Sequence, residues 1–173
     1  MRRTLASLLA VALAALPAPA VAQRPIVWRA QATPVAVRAG TDVTVNLSAR
    51  LEAGWHLYSH TQGQGGPIPT TIKLPPEQPF ALAGPITAPA PARSFDANFG
   101  IMVETFEDSV TFAVPVRVTA DSPPGPHPLQ VHVRYQVCTR TVCLPPHTEK
   151  LAVSVTVQRA DATTPGARRR AAR

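Results

Sequence analysis

The sequence has little that would build a helix or cross a membrane. No stretch keeps a helical hydrophobic period over a useful length. Its 20 prolines in 173 residues work against one, because proline lacks the backbone donor a helix interior needs. Past the N-terminal segment, no run approaches the roughly 18 apolar residues of a membrane span. There are two cysteines, Cys138 and Cys143, and neither belongs to a C-x-x-C motif. Their C-x4-C spacing is not that of a zinc knuckle, and no paired-histidine motif completes a site from His56, His60, His132 and His147; no metal and no cofactor are expected. Net charge is scarce in the body too. Of 17 Lys and Arg, six stand at the ends: Arg2, Arg3, Arg168, Arg169, Arg170 and Arg173. Gln23–Ala167 thus carries 11 basic and 10 acidic residues. The high pI belongs to the tail, and nucleic acid is not an expected partner.

What is present begins with Met1-Arg2-Arg3, the apolar LASLLAVALAALPAPA and Ala20-Val21-Ala22. A positive start, a short apolar stretch and a small-x-small site form a secretory signal peptide over residues 1–22. The remainder, 151 residues, is the length of one exported domain. The compartment expected for it is oxidising, so the two cysteines are expected as a disulfide.

The rest is written in period two. Val43, Val45, Leu47, Ala49 and Leu51 alternate with polar neighbours, as do Val110, Phe112, Val114, Val116 and Val118. Each is a half-buried strand. Ile26–Arg38 predicts an edge strand interrupted by Pro34, and Thr70–Leu74 a short strand. Pro75–Pro91 predicts irregular surface structure. Short strands between turn clusters make an all-β, immunoglobulin-like antiparallel β-sandwich the expected fold over residues 23–159, with 160–173 a basic disordered tail.

The informative stretch is Val131–Pro146, VHVRYQVCTRTVCLPP. Leu129, Val131, Val133, Tyr135 and Val137 point inward, which places Cys138 on the polar face with Gln136 and Arg134. Four residues separate Cys138 from Cys143, and a second alternating run, Leu151, Val153, Val155 and Val157, returns antiparallel. Cysteines flanking such a connection sit opposite one another, within disulfide reach. Two uses are open. A six-residue loop gains only about 2 kcal/mol from closure, so a purely structural staple is a weak device here. An outward pair at a strand end suits exchange chemistry. Arg140 and His147 are candidates to favour a thiolate, or ordinary solvated side chains.

YQVCTRTVCLPPHTEKLAVSV resembles the cysteine segment of the N-terminal periplasmic domain of the disulfide reductase DsbD. Gly54-Trp55-His56-Leu57-Tyr58 resembles that family's aromatic-rich strand, and Asp96-Ala97-Asn98-Phe99-Gly100 its cap loop. The resemblance runs from about Val27 to Val157. It implies an immunoglobulin-like sandwich passing electrons by thiol–disulfide exchange, with Cys138 and Cys143 the redox pair and Cys143 forming the mixed disulfide. His56, Tyr58 and Asp96 would line the site and Phe99 would cap it. Implied partners are a thioredoxin-like protein fed by a membrane donor of DsbD or CcdA type, and oxidised periplasmic acceptors such as disulfide isomerases and cytochrome c maturation factors. Three features depart from the family: its spacing between the cysteines is one residue longer, its cap aromatic falls at Asn98, and its acidic neighbour falls at Ala97. No membrane segment or thioredoxin-like C-x-x-C domain accompanies the motif, so donor and acceptor are expected as separate proteins. The alternative is a non-catalytic secreted immunoglobulin-like binding module with a structural disulfide.

Overall fold

The computed structural model describes residues 24–159; the expected signal peptide (1–22) and basic tail (160–173) lie outside them. Twelve strands and no helix occur among the described residues. The first sheet holds β1 (Ile26–Thr33), β3 (Asp42–Leu51), β9 (Ser109–Val118) and β6 (Phe80–Leu82), in the order β1-β3-β9-β6. The second holds β2 (Ala36–Arg38), β12 (His147–Gln158), β10 (Gly125–Tyr135) and β5 (Thr71–Lys73), in the order β2-β12-β10-β5. A third, β11-β4-β8-β7, is built from β11 (Val137–Cys138), β4 (His56–Tyr58), β8 (Ile101–Glu107) and β7 (Ala92–Asp96). Every pairing is antiparallel except that of β2 with β12. The immunoglobulin-like sandwich expected from the alternation is the fold found.

Alternation explains the layers. In β3 and β9 every second residue is buried, and the two strands pair over nine residues from Asp42↔Arg117 to Arg50↔Ser109. Their inner faces meet Leu129, Val131 and Val133 of β10 and Val155 and Val157 of β12 in one apolar core. Each such side chain contributes about 1.5–3 kcal/mol on burial. Trp28 of β1 joins the layers, its ring 6.0 Å from Phe112 and 5.5 Å from Tyr135. Pro34 falls where the chain leaves the first sheet for the second, dividing the predicted edge strand into β1 and β2. A residue without an N–H is tolerated at such a break. One expectation needs correction: Pro75–Pro91 is not wholly irregular. β6 pairs with β9, and Thr87 bridges to Ala113. The strand is three residues long, too short to establish a visible period among prolines.

The third sheet positions the cysteines. At Gln136 the chain passes from β10 in the second sheet to β11 in the third. Gln136 accepts a hydrogen bond from the Ile68 N–H at 3.1 Å and donates from Nε2 to the Leu144 carbonyl at 3.3 Å. The residue at the switch thereby ties down both the 61–70 loop and the chain leaving Cys143.

Candidate functional site

The cross-strand register sorts the third sheet into rows. Val137, Leu57 and Phe106 stand opposite one another, and all three enter the main core. The next row is Cys138, His56 and Glu107; a third pairs Tyr58 with Thr105. Because side chains alternate, these two rows project from the other face. There Tyr58, Val103 and Cys138 form a second buried cluster, with Phe99, Ile101 and Cys143 packed against it.

Cys138 and Cys143 are joined by a disulfide with their Cα atoms 4.1 Å apart, directly opposite each other in an antiparallel bridge. The intervening turn is closed by the Thr139 N–H on the Val142 carbonyl, 2.7 Å, and by the Val142 N–H on Thr139 Oγ1, 3.0 Å. Arg140 and Thr141 are exposed at its tip. The parity of Cys138 follows the sequence, since it does point away from the core. Its expected exposure does not: Cys138 is 0% exposed. The outward face of this sheet, where Tyr58 and Val103 flank Cys138, is itself covered by Phe99, so pointing outward here means pointing into a second interior. Cys143 is only half-buried, and it is the sulfur nearer to solvent.

The roof comes from the turn between β7 and β8. Asp96 ends β7 and is buried; its Oδ1 accepts the Asn98 N–H at 2.8 Å, and its carbonyl accepts the Gly100 N–H at 2.7 Å. Gly100 lies at φ 69°, a conformation that a residue without Cβ adopts freely. The turn thus presented places the Phe99 ring edge-on to Tyr58, with centroids 6.0 Å apart. Asn98 Nδ2 reaches across to the Thr139 carbonyl at 3.3 Å, a direct link from this loop to the cysteine turn. Phe95, the other aromatic of the segment, is 65% exposed. Of the two, Phe99 is the one against the disulfide cluster.

Asp96, Tyr58 and His56 form a connected polar chain. The Tyr58 hydroxyl donates to Asp96 Oδ2 at 2.5 Å, and His56 Nε2 lies 3.2 Å from that hydroxyl and 3.8 Å from the carboxylate. Burial pushes the Asp96 carboxyl upward. Hydrogen bonds from Tyr58 and Asn98 and the neighbouring His56 outweigh it, and the group is held below its ordinary value. Burial and the adjacent carboxylate push the Tyr58 phenol far up, so it stays a donor. Burial also lowers His56, against the pull of Asp96 and Glu107. A cavity of about 210 Å³, lined among others by His56, Asp96, Asn98, Glu107 and Arg140, opens beside the cluster.

The four residues expected around the pair, His56, Tyr58, Asp96 and Phe99, thus occupy one face with Cys138. Other residues named for the site lie elsewhere. His147 sits in β12 opposite Tyr135, its ring 5.9 Å from that ring and its Nε2 3.7 Å from Glu149. His60 packs edge-on to Phe112 in the main core, and His132 stands in β10 opposite Lys73 and Lys150. Among the described residues no group of three or more His, Cys, Asp or Glu is placed to hold a metal. Sequence reasoning missed Asn98 as a link, Glu107 opposite His56, and Gln136 at the sheet switch. The D-x-N-x-G turn signature was a signal for the first; the others depend on pairings that no local pattern reports.

A β-sandwich that holds one disulfide at a strand end, half-covered by a polar-anchored turn, defines a class of disulfide-bearing immunoglobulin-like domains. Comparison places the chain within it: the family model for the N-terminal region of thiol:disulfide interchange protein DsbD matches residues 23–155, and the chain belongs to that family. No curated protein matches it. Similar solved structures include two N-terminal domains. The DsbD N-terminal domain of Neisseria meningitidis, in reduced form, aligns at 22% identity over 68% of this chain and 82% of that one, with a TM-score of 0.46. The N-terminal periplasmic domain of ScsB from Proteus mirabilis aligns at 20% identity over 85% of this chain, with a TM-score of 0.52. The latter supports the fold; the alignment spans 52% of the ScsB chain. No described helix is long and apolar enough to cross a membrane.

Proposed function

We propose that this protein is a periplasmic thiol–disulfide exchange module that relays electrons through Cys138 and Cys143 to oxidised periplasmic proteins. Residues 1–22 export it, 23–159 form the working domain, and 160–173 are a basic tail. Its partners are a thioredoxin-like protein fed by a membrane donor of DsbD or CcdA type, and oxidised acceptors, among them disulfide isomerases and cytochrome c maturation factors. The observation that carries this reading is the asymmetry of the bond. Cys138 is fully buried while Cys143 is half-exposed at the end of an exposed turn. Exchange requires attack along the S–S axis on a reachable sulfur, so Cys143 forms the mixed disulfide and Cys138 resolves it. His56, Tyr58 and Asp96 line the pair and Phe99 caps it.

Burial of Cys138 also favours a second reading, a non-catalytic binding module with a structural disulfide. Trapping separates the two. Cys138→Ser, left with only Cys143, is expected to accumulate a mixed disulfide with an oxidised thioredoxin-like partner, detected by non-reducing electrophoresis. Cys143→Ser is expected to trap none. Equal, negligible trapping by two folded variants would leave the binding module as the better account.

A further inference from the structure

We propose, building on the exchange function above, that His56 is the proton acceptor for the Cys138 thiol when the reduced pair resolves a mixed disulfide. Two observations carry this. First, His56 stands directly opposite Cys138 in the β4–β11 ladder. Side chains at opposed positions share a face with their Cβ atoms about 4.5–5.5 Å apart. Second, the direction of the hydrogen bonds determines the state of the ring. Tyr58 has one hydroxyl proton, and it goes to Asp96 Oδ2. The 3.2 Å contact between His56 Nε2 and that hydroxyl oxygen is then a hydrogen bond in which His56 donates. A neutral imidazole that donates from Nε2 carries its lone pair on Nδ1. Asp96 and Tyr58 therefore hold His56 as a base, with the basic nitrogen left for a neighbour.

The groups around His56 are Tyr58 on its own strand, Asp96 from β7, Glu107 opposite it on β8, and Arg140 across the shared cavity. Burial lowers the histidine's affinity for a proton and the carboxylates of Asp96 and Glu107 raise it, the burial prevailing. A ring held neutral at pH 7 and flanked by two carboxylates is suited to take a proton and then be stabilised as the cation.

The step balances as follows. With Cys143 joined to a partner's sulfur, the Cys138 S–H bond breaks and its proton passes to His56 Nδ1. The Cys138 sulfur attacks Cys143 Sγ, and the Cys138–Cys143 bond forms. The bond from Cys143 to the partner breaks, the electron pair leaving on the partner's sulfur, which takes a proton from solvent. Two electrons of the dithiol have then reduced the partner. The need for a base comes from burial: Cys138 has no solvent at its sulfur to remove the proton.

The test uses the reduced full-length protein and oxidised glutathione, with acid-quenched samples analysed by mass for the glutathione adduct and its resolution between pH 5.5 and 9. His56→Gln keeps a donor toward Tyr58 but cannot accept a proton, whereas His56→Phe removes both. Resolution in both variants is expected to be about a hundredfold slower near pH 7. Their rates should climb with pH toward the wild-type rate above a thiol pKa of about 8.5, and the wild-type profile should bend at the titration of one further group. His56→Gln resolving at the wild-type rate with an unchanged pH profile would overturn the assignment and leave His56 a packing residue. A wild-type protein that forms no adduct at any pH fails at the earlier step. That result removes the exchange function itself, and the role of His56 with it.

Discussion

The two faces of the third sheet make a controlled comparison, because the same strands present both. The inner face gives Leu57, Phe106 and Val137 to the main core, where many interchangeable apolar contacts share the work. The outer face gives His56, Tyr58 and Cys138 to a small cluster around one buried carboxylate and one disulfide. On the first face stability is non-directional and spread over about two layers of side chains. On the second it depends on a handful of directed hydrogen bonds, each worth about 0.5–1.5 kcal/mol, or 1.5–3 when one partner is charged. Cohesion of the first kind holds a domain together; that of the second kind can be opened at one place without disturbing the rest.

Phe112→Ala, at a β9 residue with 0% exposure whose ring lies 5.7 Å from Phe106, tests the core that the first face joins. It should destabilise the protein by about 3–5 kcal/mol in urea or guanidinium unfolding. The rate at which a phosphine reduces the disulfide in the folded state should be unchanged. A core truncation that also exposed the disulfide would show that the faces are coupled.

Asp96→Asn tests the second, with a smaller cost of about 1–3 kcal/mol and faster reduction of the Cys138–Cys143 bond. The wild type should also show a pH dependence that this variant lacks. Asp96 is held below the ordinary carboxylate value of 3.8 by Tyr58 and Asn98, against the burial that opposes them. A lowered folded-state value means its contribution is complete above that ordinary value and is lost as pH falls through the lower one. Phosphine reduction followed from pH 6 downward should therefore accelerate below about pH 4 in the wild type alone. Equal acceleration in both proteins would place the acid response elsewhere.

Much of the sandwich was legible because burial in a sheet is written as parity. β3, β9, β10 and β12 each declare their inner face in the sequence, and the hairpin that brings Cys138 opposite Cys143 is visible from the two alternating runs around it. Parity reports which way a side chain points, and says nothing of what lies beyond it. Cys138 points away from the core as the alternation requires, yet a turn from β7–β8 covers it. The pairing of Tyr58 with Asp96 spans 38 residues, and the passage from one sheet to the next at Gln136 leaves the period unbroken. β6 was hidden for a different reason, its three residues being too few to alternate recognisably. The resemblance to the DsbD family supplied the candidates around the cysteines that the pattern itself could not.

The most direct measurement is the redox equilibrium of the Cys138–Cys143 pair in glutathione and dithiothreitol buffers, read by thiol alkylation with the fold followed by circular dichroism. The account predicts a midpoint above about −300 mV and a domain that stays folded when reduced, since its core owes nothing to the bond. A midpoint well below that value, or unfolding on reduction, would make the disulfide a structural staple and contradict the relay.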